Sequence, residues 1–371
     1  MENRRLELFR QALAQQELDG FFMRNESDIQ WITGFDGVFD GEGAFGLLVT
    51  ADQAVLHTDS RYAVAVNRAA AGTPFTVSLE PKTHGAVALA ALPTAGESAV
   101  GLEETLMLGE YRKLLERADA LTAENQGMTV VFVDTQGVGV NLRGVKDANE
   151  IARMRAAQAI TDAAFSHIIQ YMRPGMTERQ VQVELEDFML RHGASGLAFS
   201  SIVATGANGA SPHAIPGETV LEAGQCVVLD FGARAHGYCS DMTRVVFLGE
   251  PSPEMRAAYE VLREANETVE RMLKPGVTGA QAHNKAEEIL AAGGFDGKMG
   301  HSLGHGVGLD IHEQPNLSPR NDAPLQEGNV VTVEPGIYLE GQFGMRLEDF
   351  GVITSVGFHV FTQSTHEMVI I

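Results

Sequence analysis

Four acidic residues lie in or beside strand-like apolar stretches of this chain, which points to metal chemistry. The four are Asp230, Asp241, Glu334 and Glu348. Side chains alternate along a strand, so an acid at the end of an apolar run can face away from the core residues before it. Four carboxylates on one inner sheet face cannot all stay ionised without compensation. Hard divalent cations supply that compensation, and we predict a site for two of them.

A histidine-rich segment adds a nitrogen ligand. The run GHSLGHGVGLDIHEQP holds His301, His305 and His312 among glycines that allow close backbone approach. The spacing of the first two also occurs in zincin helices, but these glycines disfavour a helix and no Glu follows His301. We assign His305 as the ligand, which shifts the metal preference from Mg²⁺ or Ca²⁺ towards Mn²⁺, Co²⁺, Fe²⁺ or Zn²⁺. His213 and His312 are predicted proton donors at the rim, and His301 is either pocket wall or scaffold.

Arg346 lies two residues before Glu348 and therefore on the same face of the predicted strand. The ordinary interpretation of such an arginine is a surface ion pair of little worth. Beside a metal cluster, we expect it to orient the carboxylates.

The elements that must position these residues occur twice in the sequence. MRPGMTERQ (172–180) returns as MLKPGVTGAQ (272–281), each time between two predicted helices. LEAGQCVVLDFGA (221–233) matches LQEGNVVTVEPGI (325–337) at a constant offset. Asp230 then falls on Glu334, and the second acids of the two copies are taken to be Asp241 and Glu348. Two matched blocks in the same order predict an internally duplicated α+β domain with a pseudo-twofold axis.

Local patterns predict the main elements of this second part. Val227–Ala233 and Tyr238–Phe247 flank a turn at His236–Gly237 and should form a hairpin. Helices are predicted over Asp147–Met172, from Thr177 to His192, and over Glu254–Leu273.

The first part alternates short strands with helices, which predicts a small α/β domain. The predicted strands are Gly20–Met23, Phe45–Val49, Ala54–His57, Phe75–Ser78, Ala99–Leu102 and Thr129–Val133. The predicted helices are Arg4–Gln16, Arg61–Ala71, Gly85–Ala91 and Gly109–Ala118. Asp134–Arg143 is predicted to be a connection, so the chain divides into domains 1–140 and 141–371.

Bulk properties exclude several classes of partner. The chain has 371 residues and a formal net charge of −22, which argues against nucleic acid and anionic membrane surfaces. No apolar run reaches the ~18 residues that a membrane span needs. The N-terminus lacks a signal peptide's apolar region, and neither Cys226 nor Cys239 sits in a CxxC pair, so we expect a cytoplasmic protein.

These motifs resemble the pita-bread metallopeptidases, a family that includes methionine aminopeptidase, aminopeptidase P and prolidase. The family's ligand order Asp, Asp, His, Glu, Glu is matched in VLDFGA, CSDMTR, LGHGVGL, VEPGIY and MRLEDF, at Asp230, Asp241, His305, Glu334 and Glu348. WITGF (31–35) and TDSRY (58–62) resemble the creatinase/prolidase N-terminal domain, and LRGVKDANEI (142–151) resembles its junction. Methionine aminopeptidases lack that domain, so the resemblance favours the proline-directed branch.

The resemblance implies a peptidase that cuts the Xaa-Pro bond with two divalent ions, Mn²⁺ first and Co²⁺, Zn²⁺ or Fe²⁺ as alternatives. Glu334 would take the proton of the attacking water, and His312 would stabilise the oxyanion. His213 would hold a small peptide with proline at its second position. His301 and Tyr338 are further contact candidates, Tyr338 on resemblance alone, with a simple core role as the alternative.

Substrate length stays open between an Xaa-Pro dipeptidase, which we favour slightly, and an aminopeptidase for longer peptides. Some prolidases carry an Arg four residues after the second histidine, where this chain has Asn316. The acidic loop GFDGVFDGEG (34–43) would, in a homodimer, cap a partner's site and exclude long chains. A creatinase-type amidinohydrolase or a non-catalytic binding module would have lost metal ligands that this chain retains.

Overall fold

The computed structural model describes residues 3–125 and 127–371. The chain forms two compact units that meet between Arg143 and Gly144, where the sequence analysis placed the boundary after residue 140.

The first unit is built on a mixed six-stranded sheet with the order β4-β3-β2-β1-β5-β6. Its strands are β1 (Gly20–Met23), β2 (Gly46–Thr50), β3 (Ala54–His57), β4 (Thr76–Ser78), β5 (Gly96–Leu102) and β6 (Met128–Asp134). Its helices are α1 (Arg4–Gln15), α2 (Glu26–Thr33), α3 (Ala63–Ala70), α4 (His84–Ala90), α5 (Leu108–Glu124) and α6 (Val138–Arg143). All six predicted strands are present, and so are the four predicted helices.

Two helices of this unit, α2 and α6, were missed, and a tertiary contact explains the second. The prediction of a plain connection over Asp134–Arg143 is wrong, because α6 occupies its second half. Arg143 Nε donates to Asp28 Oδ1 at 2.8 Å in a buried ion pair that joins α6 to α2. Gly139 lies so close to Asp28 that a Cβ there would sit 2.2 Å from Oδ2. A short segment rich in glycine and valine has little helical propensity of its own, so packing decides its structure.

Four long helices of the second unit repeat in pairs. They are α7 (Ala148–Tyr171), α8 (Glu178–Arg191), α9 (Pro253–Met272) and α10 (Gly279–Ala292). Thr177 and Gln180 form a capping box at the start of α8, and Thr278 and Gln281 form the same box at the start of α10. The repeated motif seen in the sequence is therefore a repeated helix start.

The strands of the second unit form two larger sheets, of order β20-β12-β9-β8 and β14-β13-β15-β18-β19, and two small ones, β11-β10-β7 and β16-β17. The strands of the first copy are β7 (Gly196–Leu197), β8 (Ile202–Thr205), β9 (Cys226–Phe231), β10 (Ala233–Ala235), β11 (Tyr238–Cys239) and β12 (Met242–Phe247). Those that follow are β13 (Gly304–Gly306), β14 (Glu313–Leu317), β15 (Val330–Val333), β16 (Gly336–Leu339), β17 (Phe343–Arg346), β18 (Asp349–Thr354), β19 (Gly357–Val360) and β20 (Val369–Ile370).

The first hairpin has the predicted turn, in which His236 and Gly237 both have positive φ, 51° and 83°. Its register pairs Asp230 with Thr243. Asp241 precedes β12 and is diagonal to Asp230 on the same face, as alternation requires.

The second hairpin changes the equivalence that the sequence suggested. Its register pairs Val333 with Asp349 and Gly336 with Arg346, so Glu334 lies opposite Glu348 between these pairs. Glu348 therefore occupies the position of Thr243, and Arg346 occupies the position of Asp241. The expected match of Asp241 with Glu348 is wrong, because the segment joining the paired positions is one residue longer in the second copy.

The two helix pairs pack on the strands through separate buried clusters. In the first copy, Phe165 and Leu185 meet Leu229 and Phe231. In the second copy the corresponding cluster includes Leu262. Burying each such side chain stabilises the fold by roughly 1.5–3 kcal/mol. Among the described helices, none has the length together with the apolar character that crossing a bilayer requires.

The two cysteines are free and buried. Burial raises the pKa of Cys226 and of Cys239 to about 12, so neither thiol ionises near neutral pH.

Candidate metal centre

The second unit contains a pocket of about 520 Å³ that gathers nine of the ten site residues named from the sequence. These are His213, Asp230, Asp241, His301, His305, His312, Glu334, Arg346 and Glu348. Tyr338 does not line the pocket. Its hydroxyl accepts from Arg346 Nη1 at 2.7 Å and lies 3.1 Å from His301 Nε2, so it links two lining residues from behind.

The acidic residues and one histidine converge at the floor of the pocket. Ligand atoms of Asp241, His305 and Glu348 all lie within 4.8 Å of one another. His305 Nε2 is 3.5 Å from Asp241 Oδ2 and 3.4 Å from Glu334 Oε1. Asp230 is on β9, in the register described above, and its Oδ1 is buried without a hydrogen-bond partner among the described residues.

Burial and mutual repulsion dominate the electrostatics of these acids. Burial raises the pKa of Asp241 well above its usual value, and the charges of Asp230 and Glu334 raise it further. Burial likewise raises the pKa of Glu348, with the other three acids adding to the effect, and it also raises the pKa of Glu334. The surrounding protein therefore does not compensate four negative charges.

Arg346 is the cation that contacts this cluster. Its Nη2 forms an ion pair with Asp230, and its Nε donates to Thr243 Oγ1 at 3.0 Å. The remaining nitrogen, Nη1, donates to Tyr338 and to Pro212 O at 3.3 Å. Burial works against the charge, yet Tyr338, Asp230 and the other acids hold the pKa of Arg346 well above its usual value. One positive charge faces four carboxylates, which leaves a deficit that divalent cations would offset.

The surroundings of His305 favour the tautomer that a metal ligand needs, because a carbonyl oxygen can only accept. Its Nδ1 lies 3.0 Å from Gly306 O, and donation there leaves the lone pair of Nε2 towards the acids. Burial lowers the pKa of His305, which keeps the ring neutral. The backbone approaches closely here, because a Cβ on Gly304 would lie 2.2 Å from Thr332 O. The donor set of carboxylate oxygens plus one imidazole nitrogen, with a buried acceptor left unpaired, fits divalent metal ions.

The two rim histidines keep their ring nitrogens available. His213 and His312 are exposed, and neither ring makes a hydrogen bond within the described chain. The His312 ring centroid lies 4.4 Å from that of His305, at 74°. Partial burial and the neighbouring histidines lower the pKa of His312. His301 differs, since its Nδ1 lies 2.8 Å from Ser302 O and its Nε2 contacts Tyr338, so it combines wall and scaffold.

Two threonines support the acids and were missed in the sequence. Thr243 Oγ1 donates to Glu348 Oε2 at 2.6 Å, and Thr332 Oγ1 donates to Glu334 Oε1 at 3.2 Å. Each threonine is two residues from a predicted ligand, Asp241 or Glu334, on the same strand face. The alternation rule alone could have identified both.

Two buried charged residues hold the loops that carry the rim histidines, and no local sequence pattern predicted this role. Glu178 accepts hydrogen bonds from Thr205 N and Asn208 Nδ2, each at 2.9 Å, and from Gly217 N at 3.2 Å, which clamps the segment around His213. Lys146 Nζ contacts Glu313 Oε2 at 2.8 Å next to His312. Both clamps join residues that are far apart in the chain.

Both parts of the chain match known protein families. Residues 152–355 match the model of metallopeptidase family M24, and residues 5–145 match the creatinase/prolidase N-terminal domain. The chain is 35% identical to the uncharacterized peptidase YqhT of Bacillus subtilis, over 99% of this chain and all of that protein. The Xaa-Pro dipeptidase structure from Bacillus anthracis superposes with a TM-score of 0.89 at 34% identity, and the X-Pro aminopeptidase from Thermotoga maritima with 0.84 at 34%; each match covers 99% of both chains. The predicted fold is confirmed.

We expect Thr243→Val to weaken metal binding about 10- to 100-fold, because it removes the hydroxyl that joins Glu348 to Arg346. Titration of metal-free protein with Mn²⁺ against a competing chelator measures the affinity. Thr243→Ser keeps the hydroxyl and is the matched control. Equal affinities in the valine and wild-type proteins would contradict the supporting role.

Proposed function

The chain belongs to metallopeptidase family M24 and is a peptidase, and we propose that it hydrolyses the peptide bond that precedes proline. The resemblance found in the sequence is confirmed at the level of this family. The observation that carries the proposal is the convergence of Asp230, Asp241, His305, Glu334 and Glu348 on one pocket with two unpartnered histidines at its rim. The proline preference is supported by similar chains whose names describe Xaa-Pro dipeptidase and X-Pro aminopeptidase.

The five converging side chains are proposed to hold two divalent metal ions, with Mn²⁺ preferred over Co²⁺, Zn²⁺ and Fe²⁺. The mixture of hard carboxylate oxygens and one imidazole nitrogen supports this choice of metals. When bound, such ions supply a water of lowered pKa and a Lewis acid for the scissile carbonyl.

The residues around the proposed metal site have different roles in the reaction. Glu334 takes the proton of the attacking water, while Thr332 fixes one of its carboxylate oxygens. His312 donates a hydrogen bond to the carbonyl oxygen as negative charge develops there. His213 holds the substrate from the opposite loop, and Arg346 keeps Asp230 oriented.

The proposal predicts metal-dependent turnover restricted to peptides with proline in second position. Ala-Pro, Ala-Pro-Ala and Ala-Ala would be incubated with enzyme that had been treated with chelator and then supplied with Mn²⁺, Co²⁺ or Zn²⁺. We expect no turnover after chelation, recovery with about two ions per chain, and cleavage of the proline peptides alone. Activity that survives removal of all metal, or that favours Ala-Ala, would contradict the proposal.

Two variants separate the proposed roles within the site. Glu334→Gln should abolish turnover, because it removes both a ligand and the base. His312→Ala should lower kcat about 10²- to 10³-fold and change KM far less, because its hydrogen bond forms mainly in the transition state. Steady-state kinetics at saturating metal measures both variants. A near-normal kcat in His312→Ala would remove this residue from the mechanism.

We also propose a homodimer in which the acidic loop 36–42 of one subunit approaches the active site of its partner. Within its own unit, Asp40 has a local role, since Tyr62 OH donates to it at 2.8 Å. Asp36 and Glu42 are exposed acids that could face a substrate ammonium group. Sedimentation should show a dimer, and Asp36→Asn with Glu42→Gln should raise KM for Ala-Pro at unchanged metal content. A monomeric enzyme or unaltered kinetics would exclude the capping arrangement.

A further inference from the structure

A buried ion pair lies next to His312 and takes no direct part in the proposed chemistry. Lys146 Nζ is 2.8 Å from Glu313 Oε2, and each side chain is only 1% exposed. Replacing a buried ion pair by apolar side chains of similar size is often neutral or even stabilising, so stability alone does not account for this pair. The contacts around it connect it to the histidine that is proposed to stabilise the transition state.

The position of the His312 ring depends on its backbone. The ring makes no hydrogen bond to any residue that the structure describes, and it meets the His305 ring edge to face with the centroids 4.4 Å apart. An imidazole without a hydrogen-bonded partner reaches a substrate carbonyl only from where the main chain places it. The segment 306–313 therefore decides where this ring lies.

Glu313 holds the loop that joins His305 to His312. Its Oε1 accepts a hydrogen bond from Asp310 N at 3.0 Å, and its Oε2 is the atom in the ion pair. The carboxylate packs against the main chain at Gly308, where a Cβ would collide with it. Glycine at that position lets the carboxylate lie inside the loop. Because Glu313 is also the first residue of β14, it fixes the end of the loop that carries His312.

Residues of the first copy fix the middle of the same loop. Gly308 O accepts from Cys239 N at 2.8 Å, and Leu309 O accepts from Arg234 Nη1 at 2.9 Å. The loop is thus held at its middle by the first copy and at its end by the ion pair. Without the ion pair, the middle would stay in place, while the end that carries His312 would lose its anchor.

The backbone of Lys146 is itself fixed. Its N donates to Gly328 O at 2.8 Å, and the preceding residue, Val145, forms a bridge with Asn329. The next residue, Asp147, caps α7 through its side chain. A lysine between a bridge and a helix cap has little backbone freedom, so its ammonium group is presented from a constant place.

We propose that Lys146 is a positioning residue for His312, and that it sets, through Glu313, where the imidazole meets the substrate carbonyl. This inference rests on the proposed function and adds a part of the catalytic arrangement that lies outside the pocket. Neither partner of the ion pair lines the metal pocket, so the pair acts on the chemical step and not on metal binding. The hydrogen bond from His312 forms mainly in the transition state, so its displacement lowers kcat more than it changes KM.

The first test replaces the pair by neutral residues of similar size at saturating Mn²⁺. Lys146→Met should lower kcat for Ala-Pro about tenfold and change KM less than about twofold, because a small misplacement of a catalytic group is costly. Lys146→Met with Glu313→Gln should show the same loss. This double variant keeps an acceptor for Asp310 N and leaves no uncompensated charge, so it serves where the single variant fails to fold. Lys285→Met is the matched control, because Lys285 forms a surface ion pair with Glu288 on α10.

A double-mutant cycle with His312→Ala separates positioning from general destabilisation. If Lys146 acts through His312, Lys146→Met should lower kcat by less than about a further twofold when the histidine is already absent. Losses that multiply independently would overturn the inference, and so would a wild-type kcat in both variants of the ion pair. A reduced metal content in these variants would overturn it too, because the effect would then arise at the metal site.

Hydrogen exchange of the metal-bound protein tests the same inference without turnover. The amide of Asp310 donates to Glu313, so it should exchange faster in Lys146→Met than in wild type and at the wild-type rate in Lys285→Met. Equal protection in wild type and Lys146→Met would show that the ion pair does not hold the loop. If wild type cleaves no proline peptide although the exchange changes as expected, the failure lies with the proposed function, and the role of Lys146 in catalysis falls with it.

Discussion

The arrangement of the second unit depends on keeping four carboxylates buried beside a single arginine. Like charges in a medium of low dielectric repel strongly, and the raised pKa of Asp241 and of Glu348 records that repulsion. Arg346 offsets one charge through Asp230, and its other nitrogens bind Thr243, Tyr338 and Pro212. The electrostatic repulsion that remains among the carboxylates is one that bound cations would offset. The structure thus has a deficit of positive charge at the place where metal ions are proposed to bind.

The duplicated frame makes an asymmetric site from two similar halves. Asp230 and Glu334 occupy the same position in the two hairpins, but the residues opposite them are Thr243 and Glu348. These two partners meet in a bridge between the copies, where the threonine hydroxyl donates to the carboxylate. Near the symmetry axis the same frame therefore supplies a donor from one copy and an acceptor from the other. Had both copies carried an acid there, two like charges would have met at this bridge.

At the rim of the pocket, the backbone around His213 and His312 is fixed, while their imidazole rings make no hydrogen bonds within the described chain. Glu178 clamps the segment of His213, and the Lys146–Glu313 ion pair lies beside His312. Fixed backbone and unpartnered rings are what a site needs if its polar groups are to bind a substrate instead of the protein. Both clamps bury a charge: neutral donors hold Glu178, whereas Lys146 is paired with Glu313, so removing Glu313 would leave an uncompensated charge in the interior.

The sequence by itself determined which residues are the candidate ligands and which elements present them. Strand alternation, the duplicated blocks and the glycines around His305 pointed to the candidate ligands and to Arg346, because each rests on a local period or a local backbone requirement. Only the tertiary structure decided the register, in which Glu348 takes the position in the second hairpin that Thr243 has in the first. One additional residue in a hairpin leaves the local sequence pattern intact but shifts the residues of the opposite strand. It also decided the helix at Val138–Arg143 and the place of Tyr338 behind the pocket wall. These features depend on contacts between residues far apart in the chain, which no local pattern encodes.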